Sequence, residues 1–156
     1  TRENAVLYGI GHGVIEILTV VLPVILLYLV IATSLQNGSV DSVLKALHVT
    51  EKNAAVAMQS FQAAAQFNAE TAMITVLERI SSIGIHIGCS IIVYYSIIAE
   101  NKKYLCGAVL LHMMADCFAA LYQRNVVGAG IAEIGILFMA IVIVWISTKI
   151  YKNKMA

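Results

Sequence analysis

The chain has 156 residues, of which 60% are hydrophobic and 12% charged, with a formal net charge of +1. Its mean hydropathy is +0.86, and a soluble domain carries about 25% charged residues, so water is not the main solvent of this fold. A charge this close to neutrality offers no basic surface for nucleic acid.

The first apolar run extends from about Ala5 to Ala32, with Pro23 inside it expected to bend the helix by removing one backbone hydrogen bond, and Thr33 to Gly38 ends it. From Ser39 to about Asn68 the sequence is mixed: Val40, Val43, Leu44 and Leu47 recur at helical spacing, and Ala54 to Phe67 is rich in alanine and glutamine. Two short amphipathic helices outside the hydrocarbon are expected there, serving either as a linker or as a gate on the membrane surface. Three more apolar runs follow, Thr71 to Ala99, Tyr104 to Tyr122 and Val126 to Ser147. Each is long enough to cross ~30 Å of hydrocarbon as a helix. The expected fold is therefore all-α, a polytopic transmembrane bundle of about four spans, with residues 1–156 forming one transmembrane domain. The chain opens on Thr1, and its first run is too long for a signal peptide. It reads as the C-terminal part of a longer membrane protein.

With four crossings, Arg2, Lys102, Lys103, Lys149, Lys152 and Lys154 fall on one side, and Lys45, Lys52 and Arg124 on the other. The positive-inside rule makes the first side, which includes the C-terminus, cytoplasmic. Cys89, Cys106 and Cys117, odd in number and set in or beside apolar runs, read as packing residues rather than as a disulfide framework.

Ionisable residues interrupt the spans: His12 and Glu16 in the first, Glu78, Arg79 and His86 in the second, His112 and Asp116 in the third, Glu133 in the fourth. A charge at the bilayer centre costs roughly 2.5–3.5 kcal/mol on insertion scales, so such groups face one another or a wet cavity. His12 and Glu16 are four apart, as are His112 and Asp116, and Glu78, Ser82 and His86 continue one stripe, so each set occupies one helix face. At ~1.5 Å per residue, Glu16, Asp116 and His86 lie roughly 16–20 Å from the expected cytoplasmic ends, and His12 and His112 roughly 10–12 Å. Arg79 and Glu133, at comparable depth near the outer ends of their spans, are expected to form a structural ion pair. Gly9, Gly11 and Gly13 lack the strand, spacing and lysine of a phosphate loop and point to close helix packing. His48 reads as a solvated histidine, and Met113, Met114 and Phe118 as packing or lipid-facing residues.

Gly-Ile-Gly-His-Gly-Val-Ile-Glu at 9–16, Glu-Arg at 78–79 followed by His86, and His-Met-Met-Ala-Asp at 112–116 together resemble the YhfC family of intramembrane proteases. That family is grouped with the CAAX-processing and bacteriocin-processing membrane proteases of bacteria, and its members carry further helices before the first motif. The resemblance implies that Glu16 activates water with help from His86, while His112 and Asp116 position or polarise the scissile carbonyl, with His12 beside them. Glu78 is the alternative carboxylate, because the Glu-Glu-x-x-x-Arg motif of the better-known CAAX proteases is absent. The expected enzyme needs no cofactor. The competing mechanism is a zinc-dependent one with His12, His86 and His112 as ligands. The expected partners are the lipid bilayer of the cell membrane and a membrane protein or peptide substrate. Two other classes share the polar pattern, a proton or solute transporter and a non-catalytic membrane scaffold.

Overall fold

The structure is a computed structural model that describes residues 1–50 and 52–154, the last of these by its backbone only; the side chain of Lys154, counted above among the cytoplasmic lysines, lies outside the described part. Among the described residues seven α-helices follow one another: α1 (Arg2–Glu16), α2 (Leu22–Asn37), α3 (Val40–Ala46), α4 (Ala54–Gln66), α5 (Ala69–Ile98), α6 (Lys102–Gln123) and α7 (Ala129–Lys154). Among the described residues there is no β-strand. Four helical runs of the described residues, Arg2–Asn37, Ala69–Ile98, Lys102–Gln123 and Ala129–Asn153, are long and apolar enough to cross a membrane. The outward side chains agree with a lipid solvent: on α7, Ile134 is 70% exposed and Phe138 62%.

The first run is helical throughout but not uniformly α-helical. Between α1 and α2, Ile17–Val21 form a π turn, in which the Leu22 N–H bonds to the Ile17 carbonyl five residues back. Pro23 then falls in the first turn of α2, where its missing N–H is least costly. The break expected from proline is thus taken up one turn earlier, by widening the helix. Helix α2 ends at Gly38, whose φ of +65° is the left-handed cap that glycine adopts without strain.

The chain packs as two compact units, one of residues Glu16–Met73 and one of Thr1–Ile15 with Ile74–Ala156. In the first, α4 lies on α2, with Ile31, Phe61 and Ala64 buried and Leu27, Tyr28, Val40, Val43 and Leu44 packed around them. The two short helices of the first connection are therefore present. Within the same unit Asn68 and Thr71 cap the start of α5 reciprocally: the Thr71 N–H donates to the Asn68 side chain at 3.0 Å and the Asn68 N–H to the Thr71 hydroxyl at 2.8 Å.

The second unit contains α1, most of α5, α6 and α7 around a core that includes Ala5, Ile85, Cys89, Ile92, Ala108, Met139 and Ile143. Helices α5 and α6 are joined by a tight turn. Glu100 has φ of +49°, the Asn101 N–H bonds to the Ser96 carbonyl, and the Asn101 side chain caps the Lys103 N–H at 3.0 Å. Helix α7 begins at Ala129 and runs to Lys154, later at both ends than the apolar run from Val126 to Ser147. Asn125, with φ of +56°, and the Gly128 carbonyl, which accepts from Ile131 and Ala132, place Val126 in the turn despite its apolar side chain.

Small residues set the helix contacts. A Cβ on Gly9 would stand 2.4 Å from the Ile87 Cα, and one on Gly13 3.1 Å from the Ile83 side chain and 3.5 Å from the His86 ring. Helices α1 and α5 therefore run antiparallel, touching nearly backbone to backbone through a small-x-x-x-small face. A Cβ on Gly88 would meet Ile143 of α7 at 2.5 Å, and one on Gly135 the Phe118 ring of α6 at 2.4 Å, whereas Gly11 has open space. Close packing, expected for all three glycines of the first motif, is thus the role of Gly9 and Gly13 alone.

These contacts predict a graded response to alanine. Gly9→Ala forces the backbones of α1 and α5 apart and should cost at least about 1–3 kcal/mol. Gly11→Ala should be neutral or slightly stabilising, since alanine is the better helix former by roughly 1 kcal/mol. Thermal unfolding of the two purified variants in one detergent checks this, and equal melting temperatures would exclude the backbone contact.

Candidate active site

His12 lies on α1, one residue before Gly13 and three after Gly9, so the packing of those glycines on α5 carries its ring to His86. The two rings stack with centroids 4.4 Å apart and planes 17° from parallel. His86 is buried, only 4% exposed, on the face of α5 that also holds Cys89. From α6, His112 approaches the same point: its Nε2 is 3.4 Å from His86 Nδ1, and the ring centroids are 5.1 Å apart. Three imidazoles from three helices thus form one continuous cluster.

Asp116 stands behind it. The His112 Nδ1–H donates to Asp116 Oδ2 at 2.9 Å across one helical turn. Holding the proton on Nδ1 leaves the Nε2 lone pair of neutral His112 turned toward His86, the arrangement that suits a ligand or a proton acceptor. The i, i+4 spacing of His112 and Asp116 is therefore realised as a hydrogen bond.

The cluster forms one end of a cavity of about 750 Å³ between α1, α5 and α6. Asp116, His112, His86 and His12 line it at one end and Asn4, Val93, Tyr94 and Ile97 toward the other. Cys89 also lines it, with its thiol 3.7 Å from the Ala108 carbonyl of α6. Sequence reasoning missed Cys89, Ser90, Tyr8 and Tyr94 as cavity residues. A signal existed for α5, because residues 86, 89, 90, 93, 94 and 97 fall on one helical stripe.

The remaining candidates are not among the residues that line the cavity. Glu16 closes α1 one turn after His12 and by its packing belongs to the unit of residues Glu16–Met73. Glu78 precedes His86 by eight residues, ~12 Å along α5, and forms an ion pair with its neighbour Arg79. Glu133 of α7 lies within electrostatic range of both Glu78 and Arg79. Arg79 thus pairs with Glu78, and Glu133, the partner expected for it, is a further carboxylate within electrostatic range of the same guanidinium. His48 is exposed, with Nδ1 3.1 Å from the Ala46 carbonyl.

Two carboxylates beside one guanidinium predict coupled stability. Arg79→Ala should lower the unfolding free energy by about 1–3 kcal/mol, because part-buried carboxylates lose a charged partner. Glu133→Gln should recover part of the loss. A double-mutant cycle with zero coupling at both Glu78 and Glu133 would remove the arginine from this role.

Comparison with known proteins adds to this geometry. A family model described as YhfC intramembrane metalloprotease matches residues 1–142. The chain is 26% identical over 148 residues to the "Uncharacterized membrane protein YhfC" of Bacillus subtilis (strain 168), covering 94% of the present chain and 56% of that protein. It thus spans about half the length of that relative. No solved structure matches significantly. The motifs around His12, His86 and His112 all fall within the matched region, and the chain belongs to the YhfC family.

Proposed function

We propose that this chain carries the catalytic centre of a membrane-embedded peptidase, which hydrolyses peptide bonds at or within the bilayer of a bacterial cell. The observation that supports the reading best is the convergence of His12, His86 and His112 from three helices at the head of an apolar cavity. A transporter reading requires a polar path through the bundle, and the cavity walls beyond the histidines are largely apolar.

The family description names a metalloprotease, and the donor set suits a zinc-like ion in kind. Two nitrogens bound to one tetrahedral ion at ~2.0–2.1 Å stand roughly 3.3–3.4 Å apart, and His86 Nδ1 and His112 Nε2 are 3.4 Å apart. Asp116 supplies the outer carboxylate that metal-bound histidines commonly have. Among the described residues no three side chains are already drawn into a ligand set. The ring of His12, stacked on His86, has to turn to complete one. In this reading His12, His86 and His112 hold the ion, which when bound polarises a carbonyl and acidifies water. Asp116 fixes the His112 tautomer, the apolar walls keep bulk water from the scissile bond, and Glu16 takes the proton from the attacking water.

A second reading keeps the same residues without an ion. Here Glu16, on the same helix as His12 and one turn on, acts as base, and His86 passes the proton. The 3.4 Å approach of His86 to His112 favours it too, since one ring can donate directly to the other.

Metal content and cleavage of the full-length protein decide between them. Glu16→Gln should lower turnover by about two or more orders of magnitude with folding intact under either reading. His112→Ala should abolish both tightly bound zinc and cleavage if the ion is used. Full activity in zinc-free protein would establish the second reading. Full activity of Glu16→Gln with loss in Glu78→Gln would move the base to Glu78.

The orientation in the cell membrane follows from Lys102, Lys103, Lys149 and Lys152, which share one end of the four-helix unit. That end, with the C-terminus, is cytoplasmic in this proposal. A cysteine placed at Asn101 should resist membrane-impermeant maleimide in whole cells and react once the cells are opened. Labelling from outside would invert the topology.

A further inference from the structure

Helix α7 turns two different faces to its surroundings. Ala132, Ile136, Met139, Ile143, Ser147 and Ile150 are buried, and Ile143 meets Gly88 of α5. On the other side Ile134, Phe138, Ile141, Trp145, Lys149 and Lys152 follow at steps of three or four residues, so they form one stripe along the helix. All six are exposed, Trp145 to 58%. Among the described residues none of α7 lines the histidine cavity.

The stripe changes character at a definite depth. Asn125, in the turn before α7, and Trp145 are about twenty residues apart, the number a helix needs to cross ~30 Å of hydrocarbon. Trp145 thus falls at the lysine-rich boundary, where indole rings sit between acyl chains and headgroups. Ile134, Phe138 and Ile141 then face the chains of the same leaflet. Beyond the boundary the Lys149 ammonium stands 3.8 Å from the Trp145 ring centroid, a cation–π contact that holds it over the indole. Lys152 follows three residues later, so the two ammoniums are neighbours on the helix surface.

These charges are not offset within the protein. Among the described residues neither lysine has an ion-pair partner. The acids at this end are Glu3, which pairs with Arg2, and Glu100 in the α5–α6 turn. Arg2 also lies over the Tyr151 ring, 4.9 Å from its centroid, and brings a further cation to the same end of the bundle. A zwitterionic headgroup would add an ammonium of its own here, whereas an anionic headgroup supplies only the phosphate that two lysines complement. We propose that Lys149, Lys152 and Trp145 bind the phosphate of an anionic glycerophospholipid, whose acyl chains lie along Ile141, Phe138 and Ile134. The bound lipid sets the depth of α7 in its leaflet, away from the cavity, and the proposal stands apart from the peptidase reading.

Trp145 is the single tryptophan of the 156 residues, so its fluorescence reports the site. Full-length protein is placed in phosphatidylcholine vesicles containing either brominated phosphatidylglycerol or brominated phosphatidylcholine, and a Trp145→Phe protein supplies the background to subtract. Each lysine at an anionic surface favours it by about fivefold, so brominated phosphatidylglycerol should quench Trp145 with an apparent affinity at least about tenfold higher. Lys149→Gln with Lys152→Gln should abolish that preference and leave the melting temperature unchanged, since both side chains are exposed. Lys102→Gln with Lys103→Gln removes the same charge from the same end of the bundle and should keep the preference. Equal quenching by the two lipids, or an equal loss in the two double variants, would overturn the site. Relief of quenching by inorganic phosphate would make a soluble anion the ligand and remove the lipid. Shielding of Trp145 from both brominated lipids would assign the stripe to a second copy of the chain and overturn the proposal as well.

Discussion

The contact between α1 and α5 at Gly9 and Gly13 is the constraint on which the site rests. A methyl group on Gly9 would sit 2.4 Å from a backbone atom of Ile87, so the two helices are as close as their main chains allow. In a bilayer there is little hydrophobic force to drive helices together, and close packing of this kind carries much of the association. His12 is placed by it, since a wider separation would lift its ring from His86. The glycines and the histidine of the first motif are thus parts of one device, in which the small residues set the distance and His12 uses it.

Polar side chains in this bundle are grouped so that each offsets the isolation of another. His112 bonds to Asp116 and meets His86, which stacks on His12. Glu78, Arg79 and Glu133 form a separate group about two turns away along α5. The two groups differ in kind. An arginine between carboxylates is a fixed charge arrangement suited to joining helices, whereas imidazoles exchange protons and bind ions near neutral pH. The imidazole cluster and the fixed charges thus lie on different levels of the same helix.

Much of this was legible in the sequence because period and polarity were both informative. The four apolar runs mark the spanning helices, and the four-residue spacing of His112 and Asp116 is the spacing of their hydrogen bond. Val126 misled because an apolar side chain says nothing of the turn imposed by Asn125 and Gly128 around it. The π turn at Ile17–Val21 was illegible, since widening a helix by one residue changes no residue type. Pro23 signalled a disturbance but not where it would be absorbed. The pairing of Arg79 with the adjacent Glu78 was not anticipated, because neighbouring residues on a helix do not share a face and only long side chains can reach across. The cavity-lining role of Cys89 was hidden because a buried thiol in an apolar run has packing as its default explanation.

The connection lengths give the site an order of assembly. His86 and His112 are joined by the tight turn at Glu100 and Asn101, so the α5–α6 hairpin alone brings their rings together. His12 is separated from them by the whole of Glu16–Met73, a compact unit in its own right, and the entropy of closing that longer loop is met only when α1 docks. A chain whose first helix is misplaced holds two imidazoles rather than three. Docking of α1 through Gly9 is therefore what completes the cluster, so the third imidazole records that the first helix is in place.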